Sequence, residues 1–132
     1  MVIDTSAVLA IFLQEKDAGT FAAAIAVAHD RRMSAANLVE CSIVLAKRFG
    51  KAGERMLDLF VQKAGIQVES VTAEHARLAG EADGRFGKGL HPAALNFGDV
   101  VAYALAAAES QTLLFRGDDF SKTDIQLATL TG

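Results

Sequence analysis

Apolar runs too short to be helices recur along this chain between segments of helix length, and that alternation limits its fold more than any other feature. Met1-Val2-Ile3, Met33-Ser34-Ala35, Ile66 to Val71 and Thr112-Leu113-Leu114-Phe115 read as strands. Thr5 and Ser6 supply hydroxyls that start a helix into Ala7 to Leu13, and a second helix fits Asp17 to Ala28. From Asn37 to Phe49, Leu38, Cys41, Val44, Leu45 and Phe49 keep helical spacing, and Gly50 is a C-terminal stop. Further helices fit Ala52 to Ala64, the stretch from the Thr72 cap to about Phe86, and Val100 to Glu109. Strands separated by helices pair in parallel, because parallel neighbours need a long crossover. The expected fold is therefore α/β, with a mainly parallel short central sheet and helices on both faces.

At 132 residues, with no internal repeat or low-complexity segment, the chain reads as one domain spanning 1–132. Gly84 to Pro92 carries three glycines and the one proline, and reads as a mobile loop. The tail from Phe120 to Ile125 reads as a turn followed by a last edge strand. No apolar run, Phe21 to Ala28 included, approaches the roughly 18 residues of a membrane span. Met1-Val2-Ile3-Asp4 lacks the basic and apolar regions of a signal peptide, so a cytoplasmic protein with no membrane role is expected.

The lone cysteine, Cys41, has no internal disulfide partner and reads as a small buried hydrophobe. With only three histidines, His29, His75 and His91, no zinc-type spacing appears. A net charge of −3 excludes a strongly basic nucleic-acid footprint, leaving local patches for any such contact. Apolar residues make up 52% of the chain, which points to closely packed helices and an apolar surface covered by a partner.

The acids carry the chemistry. In open α/β sheets ligands bind beyond the carboxyl ends of the strands. Asp4 follows the first strand, and Asp118 and Asp119 follow the last through Gly117. Glu40 has Ile43 and Val44 as its helical neighbours at i+3 and i+4, so it is expected to share a face with core residues. Asp99 stands in the first turn of an almost wholly apolar helix, after the polar Asn96 and after Gly98, a point of close backbone approach. Each acid also has a bland reading: Asp4 and Asp99 suit helix N-termini, Glu40 suits a boundary position reaching solvent, and Gly-Asp-Asp suits a turn. If they converge, their repulsion requires a cation, and an all-oxygen set favours Mg²⁺ or Mn²⁺ over zinc.

Taken together, Val2-Ile3-Asp4-Thr5-Ser6, Glu40 in its helix, Asn96-Phe97-Gly98-Asp99 and Leu114 to Ile125 resemble a PIN-domain ribonuclease, and more narrowly the VapC toxins of type II toxin–antitoxin modules. The resemblance covers essentially the whole chain. It implies an endoribonuclease that uses Mg²⁺ or Mn²⁺ and water to hydrolyse RNA. Asp4 and Asp99 then correspond to the principal metal ligands, Glu40 to the third acid, and Asp119 or Asp118 to the fourth. The family's Gly-x-Asp-Phe pattern favours Asp119. Thr5 or Ser6 matches a supporting hydroxyl, and Asn96 is a further polar group at the site. Among the basic residues, Arg85, Lys88 and Arg116 are the candidate RNA contacts. The resemblance also implies a homodimer and inhibition by a VapB-type antitoxin.

Other chemistries with an Asp after the first strand fit less well. A haloacid-dehalogenase-like phosphatase expects a second Asp where Ser6 stands, and a receiver domain expects an acceptor Asp and a late lysine that do not appear. A catalytically silent PIN-like module is the remaining alternative.

Overall fold

Two residues suffice for an inner strand when both faces are covered, because each side chain then enters a core. In the computed structural model, which describes residues 1–130, the chain runs β1 (Val2–Ile3), α1 (Thr5–Phe12), α2 (Ala18–Val27), β2 (Arg32–Ser34), α3 (Ala35–Phe49), α4 (Lys51–Lys63), β3 (Gln67–Glu69), α5 (Ala73–Phe86), α6 (Phe97–Ala108) and β4 (Leu113–Leu114), then a 3-10 turn, Phe120–Lys122. The sheet order is β3-β2-β1-β4, with every pairing parallel. Val2 registers with both Arg32 and Leu113, and Ile3 with Leu114. The chain travels outward from β1 through β2 to β3, then crosses back to place β4 on the other side of β1. The carboxyl ends of β1 and β4 thus mark the topological switch point, where such sheets bind ligands.

Successive strand residues face opposite sides. Val2 and Leu113 pack with Phe86, Tyr103, Leu105 and Phe120 on the α5–α6 side. Ile3, Met33 and Leu114 pack with Val8, Phe21, Leu45 and Leu57 on the side covered by α1 to α4. Among the described residues, no helix is long and apolar enough to cross a membrane.

The α3–α4 hairpin depends on one small residue. Gly50 caps α3 with φ 63°, and a Cβ on Gly53 would collide with the carbonyl of Leu45 across the helix pair. That obstacle is backbone and cannot step aside. Although Ala is the better helix former, Gly53→Ala is expected to lose roughly 1–3 kcal/mol of stability through overpacking. A lowered Tm in thermal unfolding checks this.

Several expectations need correction. Gly84, Arg85 and Phe86 form the last turn of α5 rather than a loop. The segment after them is pinned at its base, with Leu95 N–H donating to the Phe86 carbonyl at 2.9 Å and Lys88 N–H to the Leu95 carbonyl at 3.1 Å. The strand expected over Ile66 to Val71 is only Gln67–Glu69, since the Ile66 N–H is given to the Val61 carbonyl as α4 ends and Thr72 already caps α5. The last edge strand reduces to an isolated bridge between Leu113 and Leu127.

Candidate active site

Asp4 leaves β1 at the centre of the sheet and becomes the N-cap of α1. Its Oδ2 accepts from Ser6 N–H at 3.0 Å and from the Ser6 hydroxyl at 2.6 Å. Ser6 Oγ in turn accepts from Arg116 N–H at 2.8 Å, which ties the residue beyond β4 to the acid beyond β1. The carboxyl is only 3% exposed. Burial is the main influence on it and outweighs the Ser6 hydrogen bonds; the nearby charges of Asp99 and Glu40 add to burial, and its pKa is pushed up to about 6.

Glu40 comes from α3. Its Oε1 accepts from the Thr5 hydroxyl at 2.7 Å and from Asn37 Nδ2 at 3.0 Å. Both bonds fall on one oxygen, so Oε2 has no hydrogen bond among the described residues. The carboxylate lies flat against Gly98, where a Cβ would collide with both oxygens. The reason given for Glu40 from the sequence does not hold, since Ile43 and Val44 are 51% and 37% exposed. The buried face of α3 is instead Asn37, Cys41 and Leu45. Glu40 is drawn inward by its polar partners rather than by core neighbours.

Asp99 occupies the third position of α6 in a capping box. Its N–H donates to Asn96 Oδ1 at 2.9 Å, while its Oδ2 accepts from Asn96 N–H at 3.0 Å. Asn96 thus acts on the helix end and on the orientation of Asp99 together. Burial raises the Asp99 pKa, partly offset by the Asn96 hydrogen bond and reinforced by Asp119 and Glu40.

The paired acids of the tail separate. Asp118 has a 78% exposed side chain and lies 3.7 Å from Lys122 Nζ. Asp119 begins the 3-10 turn and is close enough to influence Asp99 electrostatically. The turn is anchored by Phe120, buried edge-on against Phe115, and by Asp124, which accepts from the Tyr103 hydroxyl at 2.5 Å and from Arg85 at 3.0 Å.

The basic candidates differ in availability. Arg85 is spent on Asp124 and on the Phe86 ring, 4.6 Å from its centroid. Arg116 forks onto Asp17 at 3.0 Å and lies 3.7 Å from Glu15. Lys88 is exposed and makes no ion pair among the described residues. Cys41 is fully buried, and burial pushes its thiol up to about 12, so it is the inert hydrophobe expected of it rather than a nucleophile.

Asp4, Glu40, Asp99 and Asp119 therefore converge electrostatically, while each of the first three leans on its own donor. Among the described residues, no three His, Cys, Asp or Glu side chains close tightly enough to cage an ion by themselves. In donor chemistry they fit a hard divalent cation: all are oxygens, and the buried Asp4 carries an unfavourable charge at neutral pH that a cation would relieve. Asn37 is the site residue that sequence reasoning missed. Its signal was its place three residues before Glu40 on one helix face.

The PIN domain family model matches residues 1–126. VapC ribonuclease Mb0640 of Mycobacterium bovis is 45% identical over 130 residues, covering 98% of this chain and 99% of that protein. Ribonuclease VapC28 of Mycobacterium tuberculosis is 46% identical over 129 residues, covering 97% of each. Among solved structures, Mycobacterium tuberculosis VapC20, a sarcin-ricin loop cleaving toxin, superposes with a TM-score of 0.79 at 20% identity, over 98% of each chain. VapBC2 from Rickettsia felis, bound to a DNA fragment from its promoter, gives 0.74 at 19% identity, also over 98% of each chain. At such identities the superpositions speak to the fold.

Proposed function

Because this chain belongs to the PIN-domain family, and within it to the VapC ribonucleases, we propose that Asp4, Glu40, Asp99 and Asp119 form its nuclease site and hold Mg²⁺ or Mn²⁺. The protein is the toxin of a type II toxin–antitoxin module, an endoribonuclease that hydrolyses RNA and pairs with a VapB-type antitoxin. In our reading it acts as one domain, as a homodimer, in the cytoplasm. The single observation that carries the site assignment is Asp4: a carboxyl 3% exposed, with its pKa at about 6, beside two further acids at the switch point of a parallel sheet. A merely structural helix cap would gain nothing from such neighbours.

Each residue has a distinct task. Asp4 and Asp99 supply oxygens from the ends of β1 and α6, and Ser6 and Asn96 hold those carboxylates in place. When bound, the ion supplies charge for the scissile phosphate and lowers the cost of ionising water. Glu40, fixed through Oε1, offers Oε2 to orient the water and take its proton. The water oxygen then bonds to phosphorus while the bond to the leaving oxygen breaks. Asp119 completes the acid set from the start of the 3-10 turn after β4. Of the three candidate RNA contacts, Lys88 is the one available to the RNA backbone, being exposed and without an ion pair among the described residues.

Exposed apolar side chains suit protein partners. Val39 and Ile43 on α3 and Phe97 at the start of α6 are 56%, 51% and 76% exposed. Met56 and Leu59 on α4 line a second apolar groove with Ile11 and Phe12. Two such surfaces accommodate a second copy and an antitoxin helix.

The test is to incubate the purified chain, freed of antitoxin, with total RNA and Mg²⁺ or Mn²⁺ and to map new 5′ ends. Metal-dependent cuts are expected, and they disappear with Asp99→Asn. Asp119→Asn is expected to lose at least about 10-fold in rate, with Asp118→Asn within about twofold of the natural chain. Cuts that persist in Asp99→Asn, or a larger loss at Asp118 than at Asp119, would overturn the assignment.

A further inference from the structure

Asn37 is fully buried on the inner face of α3. One amide hydrogen goes to Glu40 Oε1 and the other to the Gly98 carbonyl, each at 3.0 Å. Its own oxygen, Oδ1, is buried with no hydrogen-bond partner among the described residues. An orphaned oxygen carries a desolvation cost that an apolar side chain of the same size avoids. The amide therefore makes poor sense as filler, and what it contributes must come from its two donors. Those donors join the third acid to the first turn of the helix that bears Asp99. Glu40 consequently sits in a seat with three walls: the Thr5 hydroxyl of α1, the Asn37 amide of α3 and the bare Cα of Gly98 in α6.

We propose that Asn37 is a positioning residue for RNA cleavage, holding the Glu40 carboxylate and the α6 N-terminus in one geometry so that Oε2 is presented to the reacting water. The proposal rests on the reading of Glu40 and Asp99 given above. Asn37 touches neither RNA nor the ion; it acts through Glu40. Without its amide, Oε1 keeps only the Thr5 hydroxyl, and the flexible glutamate stem is free to leave the site. A residue that simply glued α3 to α6 would behave differently, since its loss would lower stability and leave the chemistry of the folded fraction unchanged.

The two roles separate in the variant Asn37→Leu, which keeps the branched shape and the number of side-chain heavy atoms, removes both donors and removes the orphaned oxygen. The expected result is an unchanged or raised Tm, KM for RNA within about twofold, kcat lowered by about 10–100-fold and Mn²⁺ affinity weakened by about 10-fold. Mn²⁺ binding is read directly by calorimetry or electron paramagnetic resonance, with Asp4→Asn as the control that lacks a principal ligand. In a Glu40→Gln background, Asn37→Leu is expected to change Mn²⁺ affinity by less than about twofold, because its route of action is already gone. If Asn37→Leu does not fold, Asn37→Ala takes its place in the same cycle, removing both donors without adding bulk. Coupling to Glu40 supports the proposal, and additive effects overturn it. Natural kcat and Mn²⁺ affinity in either folded variant also overturn it. If the natural chain shows no Asp4-dependent Mn²⁺ binding or cleavage, the nuclease reading itself fails; if it shows both and Asn37 is neutral, only the positioning role fails.

Discussion

Replacing Asp4 by Asn is expected to abolish RNA cleavage while making the metal-free protein more stable at neutral pH. The two effects share one cause. The folded Asp4 carboxyl has a pKa of about 6 against 3.8 for its ordinary value. Between these values the folded protein keeps a proton that the unfolded chain has released, so stability of the metal-free protein falls as pH rises from about 4 to about 6 and is level above that. The buried shift corresponds to about 3 kcal/mol withheld at pH 7.5. Asn removes the charge and still offers an oxygen to the Ser6 N–H, so a rise in Tm of roughly 5–10 °C is expected at pH 7.5, with almost none at pH 4. Asp99, whose pKa is also raised by burial, leaves a residual slope of the same sign.

Adding Mn²⁺ should reverse the order. A ligand that binds only the folded state stabilises by mass action, which the natural chain can use and the variant cannot. Metal affinity of the natural chain should strengthen as pH rises toward 6, because the proton on Asp4 competes with the cation. Loss of a direct ligand should lower cleavage by more than about 100-fold, beyond what outer-shell changes produce. Thermal unfolding at pH 4, 6 and 7.5, with and without Mn²⁺, alongside RNA cleavage, checks each part. Metal-dependent cleavage retained by Asp4→Asn would refute the role of this residue, and an unchanged pH slope would refute its burial cost.

A single methyl group at position 98 is expected to silence the enzyme without unfolding it. The Glu40 carboxylate occupies the space a Cβ would need, so Gly98→Ala must drive it off the α6 N-terminus. The obstacle is the end of a flexible side chain, which can swing away at little cost to the fold. Ala also favours the helix by up to about 1 kcal/mol relative to Gly, which offsets the lost hydrogen bonds. We therefore expect Tm within a few degrees of the natural protein and a loss of roughly 100-fold or more in kcat, the scale of a general base removed from its place. Glu40→Gln should lose a similar amount, and the double variant no more than either alone. Full activity in Gly98→Ala, or strictly additive losses, would show that the contact between Glu40 and Gly98 has no part in catalysis.

Glu40 shows how a residue can lie among the candidate acids for a reason other than the one its sequence neighbours suggest. Its neighbours at i+3 and i+4 are apolar, yet both stand exposed, because α3 turns the face bearing Asn37, Cys41 and Leu45 inward. Apolar spacing on a helix reports which residues could face a core. It does not report which stripe meets one when a second apolar stripe is free at the surface. The same limit explains the tail, where a strand was expected by Ile125 but backbone pairing amounts to one bridge, at Leu127.

By itself the sequence determined the class of fold and the addresses of the acids. Short apolar strands separated by helices admit little other than a parallel sheet, and an acid that ends such a strand is placed at its carboxyl end by chain direction alone. Asp4, and Asp99 with Asn96 and Gly98, were legible for this reason, since strand ends and helix caps are local. Only the tertiary structure decided how they cooperate: Ser6 serves Asp4 while Thr5 serves Glu40, Asp119 neighbours Asp99 while Asp118 faces Lys122, and Asn37 spans two helices to hold a carboxylate. Each of these depends on where a side chain points relative to a segment far along the chain. That direction is set by packing between elements, which local periodicity does not encode.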